Sequence, residues 1–434
     1  MPINSTHPQF ATHKAAVTSD AYNGTVKEYV PKLAGQTSEE YMKYVNRGTY
    51  FNATRRTVEA MVGTILRKPF TMSPEVDVEF DENLGMRDFL GEVIRSVIKG
   101  GRVGIYCDFN EMSAKPYLVL YYHHCITNWR AVDGKTTLVV LKEDTYVEDP
   151  KDPYVLVPQV QYRELFLDEE GFFTVRIWKQ KDKDGKKFEV SETFMPTVRG
   201  VRMTEIPFVF CNPFDNTPNV HDPVAYNLAQ LNISHFCSTV DLEHGVHFTA
   251  LPQPYLAGSF QREMSNGVCL GTPTLWELDH NSRVGYLEFT GAGLKAVESR
   301  IQTKENQMLQ LGSSLLMPKN GVESADALAI RTGAETASLV SITSAVESAF
   351  SEALEYSLKW YGQQDPEVEF EMNRDFTTQR LSAQDVAAIL NLFNSGIVSR
   401  ESVLDCLVRG EIIPSVQMEM ERLMQREQND NNSE

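Results

Sequence analysis

The chain has 434 residues, 42% of them hydrophobic and 23% charged, which describes a globular protein with a sizeable core and excludes a disordered or fibrous one. At this length two or more domains are expected. The formal net charge of −18 argues against an open basic surface wrapped on nucleic acid, because such binding is carried by Lys and Arg on phosphate. A closed acidic channel that nucleic acid crosses without sticking is compatible with it.

The six cysteines, at 107, 125, 211, 237, 269 and 406, are scattered and form no CxxC pair, so reduced, buried thiols are expected. The opening stretch MPINSTHPQFATHKAAVTSD has no apolar h-region, and no run of about 18 apolar residues occurs anywhere. Neither a secretory signal nor a membrane span is read, and a cytosol-like compartment is expected.

In chain order, YFNATRRTVEAMVGTILRKPF at 50–70 places Phe51, Val58, Met61, Val62 and Ile65 at helical spacing and stops at Pro69. A second amphipathic helix is predicted over 86–99, with Phe89, Leu90, Val93, Ile94, Val97 and Ile98 on its apolar face. After the KGG at 99–101 the period changes to two, and short strands run from Arg102 to Phe210, punctuated by DEEG at 168–171 and DKDG at 182–185. This half is α+β with a mostly antiparallel sheet. The Asn-, Pro- and Asp-rich stretch FCNPFDNTPNVHDP marks a boundary.

A helix is predicted next over Pro223–His247, with Pro223 in its first turn and Asp222 as N-cap. From Pro223 through Val240 it contains no Asp, Glu, Lys or Arg, so no face is committed to water. Such a helix suits packing between copies of itself, with its Asn, Gln and Ser side chains paired across interfaces. About forty residues of short strands and Gly/Pro turns follow, too few for an independent core. A second helix, Ala292–Leu311, then runs about 30 Å. Its Leu294, Val297, Ile301 and Met308 form one narrow stripe, while Arg300 and Lys304 sit four apart, a spacing that weakens an isolated helix. Two explanations stand for that pair: a solvated face, or an anionic neighbour. Beyond Pro318 come a loop, a long helix closed by Gly362, the strand VEFEMN, two or three further helices and a polar tail.

No constellation makes an enzyme the leading reading. His235, Cys237, Glu243, His244 and His247 lie within thirteen residues, but match neither HExxH nor CxxC, and no metal site or cofactor is assigned. His123 and Cys125 could meet on one face of a strand that leaves His124 on the other, but no orienting acid is in view. Phosphate loops of the GxxxxGK[ST] type are absent. The acid pairs at 39–40 and 169–170 read as a helix start and a turn.

The order of these elements resembles phage portal proteins, the rings at the head–tail vertex of tailed bacteriophages, and in particular a large portal-like family of undefined domains. The resemblance is carried by the stretches at 29–69, 228–258, 287–318 and 331–360. It implies an α+β portal architecture with an α/β wing, a two-helix stem, a small β-containing clip and a helical crown, assembled as a ring of typically twelve subunits. The wing would take 1–222 and 323–380, the stem helices 223–247 and 292–311, the clip 248–291, the channel loop 312–322 and the crown 381–434. It further implies a non-enzymatic conduit for double-stranded DNA in packaging and ejection. Its partners would be the large terminase subunit, head–tail adaptor and tail proteins, and the major capsid and scaffolding proteins, at the capsid portal vertex of a virion assembled in host cytoplasm. Within that picture Lys295, Arg300, Lys304 and Lys319 would line the channel, and Leu228, Leu231, Phe236 and Val240 would pack subunits together. The competing readings are a metal-dependent hydrolase using His235, His244 and His247, and a head–tail adaptor ring, for which 434 residues is long.

Overall fold

The computed structural model describes residues 3–81, 84–149, 151–181, 187–249, 253–258, 280–287, 292–313, 325–374, 376, 383–409, 412–413, 419–420 and 422. The chain divides into two compact units, Met1–Arg374 and Asp375–Glu434. The architecture is mixed α+β, as the sequence predicts.

The first unit opens with helices α1 (His13–Asn23), α2 (Ser38–Val45) and α3 (Ala53–Ile65). The Glu39–Glu40 pair does start a helix: Thr37 and Glu40 form a reciprocal capping box at the head of α2. Helix α3 starts at the N-cap Asn52, so Phe51 lies outside it, half exposed, while Val58, Met61, Val62 and Ile65 are buried. After the short strands β1 (Thr71–Ser73) and β2 (Glu79–Phe80) comes α4 (Met86–Gly100), whose six predicted apolar positions are all buried. Gly101 ends α4 with φ +73° and its N–H on the Val97 carbonyl. A Cβ there would stand 2.2 Å from the His221 carbonyl oxygen, so both the turn and the approach of the 211–222 loop require glycine.

Strands β3 (Val103–Asn110) and β4 (Lys115–Tyr122) follow and pair with β12 (Phe208–Cys211) and β2 in the order β12-β3-β4-β2, where only the β2–β4 pair is parallel. The strands β5 (Ile126–Val132), β6 (Lys135–Asp149), β7 (Asp152–Leu167), β8 (Phe173–Gln180) and β9 (Phe188–Phe194) form an antiparallel sheet in chain order, and β10 (Thr197–Val198) and β11 (Val201–Arg202) a small hairpin. The four-stranded sheet is covered on both faces. On one side Cys107 meets Ser357 of the long helix α7 (Ala325–Trp360), and on the other Tyr106, Tyr121, Phe208 and Phe210 pack with Trp129, Leu165 and Phe173 of the five-stranded sheet. A strand buried on both faces loses its polar alternation, which is why RVGIYCDF reads as a nearly continuous apolar run. The DEEG turn is as predicted: Asp168 Oδ1 accepts from the N–H groups of Glu170 and Phe172, and Gly171 takes φ +85°. DKDG lies outside the described residues.

Helix α5 (Tyr226–Thr249), the hairpin β13 (Gln253–Ala257) and β14 (Arg283–Leu287), and helix α6 (Ala292–Met308) come next, followed by one π-helical turn, Leu309–Ser313. Helix α5 begins three residues after Pro223, and Asp222 pairs with Lys14 at 2.5 Å instead of capping it. Helix α7 ends at Gly362, whose N–H reaches the Lys359 carbonyl, and β15 (Glu369–Glu371) returns to pair with β1. The buried Glu347 of α7 accepts from Met372 N–H and from Arg374, tying this return to the helix. The second unit contributes α8 (Ala383–Asn394) and α9 (Arg400–Arg409), which pack on each other.

In the five-stranded sheet Glu143, largely buried, accepts from Tyr121 Oη at 2.6 Å, Gln161 Nε2 at 2.6 Å and Arg163 Nε at 2.7 Å. Burial pushes its carboxyl up, but the Arg163 guanidinium and these donors outweigh burial and hold it below the ordinary Glu range. A carboxyl depressed in the fold contributes stability above its unfolded pKa that is lost as pH falls through the folded one. Glu143→Gln should therefore cost about 2 kcal/mol in urea denaturation at neutral pH, and progressively less below the ordinary carboxylate range.

Candidate functional site

Helices α5 and α6 run antiparallel, with the β13–β14 hairpin at the end where they join. At that end Gly245 of α5 lies against Leu294, where a Cβ would approach Cδ2 to 2.6 Å. In the middle His235 Nε2 stands 3.2 Å from Glu305 Oε1, and at the far end Met308 packs with Leu228 and Ala53. Gly312, in the π turn, closes against Thr57 and Leu228, which anchors the end of α6 on α3. The pair is thus a stalk rooted in the helical layer and carrying a small β element.

The stretch of α5 up to Val240 lacks charge because its own chain buries it. Ala229, Ile233, Phe236 and Val240 pack with Val17, Ala21, Val26, Val30, Tyr44 and Val45. The four residues expected to join subunits are accordingly placed elsewhere: Phe236 and Val240 sit in this core, and Leu228 and Leu231 pack with Ala53 and Met308. Leu228, Phe236 and Val240 are buried inside the protomer and offer nothing to a neighbour, while Leu231 is partly buried. Of the polar residues expected to pair across interfaces, Asn232 finds its partners within the chain. Asn232, fully buried, accepts at Oδ1 from Tyr50 Oη (2.9 Å), Thr54 N–H (3.0 Å) and Thr54 Oγ1 (3.0 Å), and donates to the Phe51 carbonyl (2.8 Å). Up to Val240, what α5 leaves in water is a narrow line of Asn227, Gln230 and Ser234, three and four residues apart; beyond it Asp241, Glu243, Val246 and His247 are exposed.

On α6 the seam stripe is Leu294, Val297, Ile301, Lys304 and Met308, in steps of three and four, the first three half-buried and the last two buried. Lys304 fills the gap between Ile301 and Met308, so it belongs to the seam with α5 and not to the outward face. It is 9% exposed, and its ammonium donates to the Ser234 carbonyl at 2.8 Å and to Ser238 Oγ at 2.7 Å. The expectation that it lines a channel is corrected: its charge is spent on the neighbouring helix. Burial first, and the Arg300 charge second, lower its pKa. The seven-residue step in the apolar stripe carried this information, since its midpoint falls on the same face.

Lys295 and Arg300 are exposed, and Lys319 lies outside the described residues. At 100° per residue the side of α6 opposite the seam carries Lys295, Ser299, Thr303 and Asn306, with Arg300 on its flank. That outward face is polar and nearly free of charge. Of the channel loop, only 312–313 are described.

The other candidate constellations resolve into structure. His235 and His244 lie nine residues apart on one helix, half a turn out of phase, and His244 Nδ1 meets Arg47 Nη1 at 3.1 Å. Among the described residues no group of three or more His, Cys, Asp or Glu is placed to hold a metal ion. His123, His124 and Cys125 sit in the turn after β4. Burial pushes the Cys125 thiol up to about 11 and, with the neighbouring His124, brings His123 down to about 4, opposite to what a thiolate–imidazolium pair requires. A polar recess of about 500 Å³ near the end of α7 holds Arg199, Arg202 and Lys359, each already paired, with the Tyr361 carbonyl, Asp168 and Glu205 respectively. No described helix is long and apolar enough to cross a membrane.

Residues 225–361 match the domain of unknown function DUF4055. That span runs from α5 to the end of α7 and contains three of the four stretches that carry the portal resemblance, 228–258, 287–318 and 331–360. The resemblance to a portal-like family of undefined domains stands with this match. Among solved structures, the chain is similar to one in the neck of an empty gene transfer agent particle, at 12% identity over 87% of this chain and 95% of that one, with a TM-score of 0.45. It is also similar to a chain of the native gene transfer agent virion, at 11% identity over 88% and 98%, TM-score 0.44. A third, in the neck of the native particle, gives 10% identity over 88% and 97%, TM-score 0.39. No curated protein matches.

A buried ammonium without a carboxylate partner costs desolvation that two neutral acceptors offset only in part. Lys304→Met should therefore lose no more than about 1 kcal/mol of unfolding free energy, or gain some, in a denaturation series. A loss of several kcal/mol would show that the ammonium holds the helix pair together.

Proposed function

We propose that this chain is the protomer of a phage portal ring, a non-enzymatic conduit for double-stranded DNA at the capsid vertex. The observation that carries this reading is the rooted antiparallel pair α5–α6 with a β hairpin at its tip, which corresponds in order and size to a stem bearing a clip. In support, the DUF4055 match spans this unit. The hairpin side would meet the packaging motor and then the adaptor and tail, and α8–α9 would belong to the crown.

In such a ring the outward face of α6 would line the lumen. Ser299, Thr303 and Asn306 can hydrogen-bond water and phosphate without holding either strongly. Lys295 and Arg300, repeated around the ring, would supply belts of weak, screened attraction on an otherwise acidic protein. Contacts of this kind favour sliding over capture. Lys304 takes no part, and Lys319 would add a belt if the 312–322 loop faces the lumen.

The test is native mass and shape. Purified protein should form a particle of roughly a dozen 49.1 kDa subunits with a central hole in negative-stain images. In the same particles Lys295→Glu with Arg300→Glu should leave the mass unchanged while lowering low-salt retention of linear duplex DNA several-fold. A monomer or dimer would refute the ring, and unchanged DNA retention would refute the role of these two cations.

A further inference from the structure

The hairpin β6–β7 is longer than the sheet it belongs to. Strand β5 pairs with β6 only as far as Leu141, and β8 pairs with β7 only from Gln161 onward. Among the described residues, 144–160 therefore pair only with each other and project as a two-stranded ribbon about 25 Å long, at roughly 3.3 Å per residue. Both of its faces are apolar and in water. Tyr146, Tyr154 and Leu156, on one side, are 69%, 94% and 58% exposed, and Val147, Val155 and Val157 on the other are each nearly half exposed. A free ribbon of this kind is marginal in stability, and its open backbone edges invite pairing.

We propose that this ribbon is an arm that docks on a second copy of the same chain, seated on the basic stretch 41–58. The area argues for a macromolecular partner. The six exposed side chains present on the order of 600 Å² of mostly apolar surface, close to the roughly 800 Å² per partner of a standard interface. Charge selects the seat. Around the ribbon tip Glu148, Asp149 and Asp152 face only Lys151, and Asp144 adds a carboxylate beside Lys142. In a chain of net charge −18, residues 41–58 contain Lys43, Arg47, Arg55 and Arg56 and no carboxylate at all. Lys43, Arg55 and Arg56 are exposed, as are the apolar Met42 and Phe51, and Lys43 is engaged only by an exposed i,i+4 pair with Glu39. Ribbon and seat are different patches of one chain, so the contact is head to tail, the geometry that closes into rings.

This inference rests on the ring part of the portal reading and not on its DNA part. The test uses the full chain and native mass. Tyr154→Ser with Leu156→Ser should keep the parent's circular dichroism and melting temperature, because neither residue enters the core, but should run as a 49.1 kDa monomer. Reversal of the ribbon, Asp144→Lys with Glu148→Lys, should also abolish the ring, as should reversal of the seat, Lys43→Glu with Arg56→Glu. The chain carrying all four reversals should reassemble. A ring that persists in the Ser variant or in either reversal overturns the proposal while leaving the portal reading intact, as does failure of the four-fold chain to reassemble. A monomeric parent overturns both.

Discussion

The side chain of Asn232 accepts three hydrogen bonds and donates a fourth, all to the short segment 50–54, and in doing so fixes helix α5 to the start of α3. A neutral amide suits this position. It satisfies the Thr54 N–H at the head of α3 without the desolvation cost of a charge, and each bond is made where water cannot compete. Around it Phe236 and Val240 meet α1 and α2 on one side, while Leu228 and Met308 bring in α6 on another. The stalk that carries the β13–β14 hairpin is therefore an extension of the core, and its direction is set by the packing of the first sixty residues.

Much of this was legible in the sequence because two periods dominate it. The apolar face of α4 and the stripe on α6 follow 3.6-residue spacing, and the change after Gly101 to short strands follows from the period of two. What escaped has physical causes. Helix α1 buries small and polar residues, Ala15, Thr18 and Ala21, along with Val17 and Tyr22, so it shows no hydrophobic stripe. Strand β5 carries Asn128 and Arg130 among its apolar residues and is irregular in register against β6, which blurs its alternation. The absence of charge on α5 was visible, but its meaning was ambiguous, since burial in one's own chain and burial against a copy leave the same composition.

The candidate site was less legible than the fold. Positions can be assigned to a helix face by counting, which places Lys295 and Ser299 outward and Lys304 on the seam. Counting does not say that a lysine on the seam will find a carbonyl and a hydroxyl, as Lys304 does with Ser234 and Ser238. Nor does it show that a strand overruns its neighbours, which depends on where β5 and β8 stop pairing. Charge thus has two patterns here: within the helical stalk it is bonded locally, as at Lys304, or thinned to Lys295 on the outward face, and on the ribbon it gathers toward the tip.

The central claim is that α6 turns a polar face whose one charge is Lys295, with Arg300 on its flank, toward a channel on the ring axis. An electron cryomicroscopy reconstruction of the purified particle tests it directly. The account predicts α6 as the innermost described helix, with Ser299 and Asn306 facing the hole and Lys304 still bonded to α5. A ring in which α6 lies at the outer wall, or in which Ser299 and Asn306 are buried against the adjacent subunit, would contradict it.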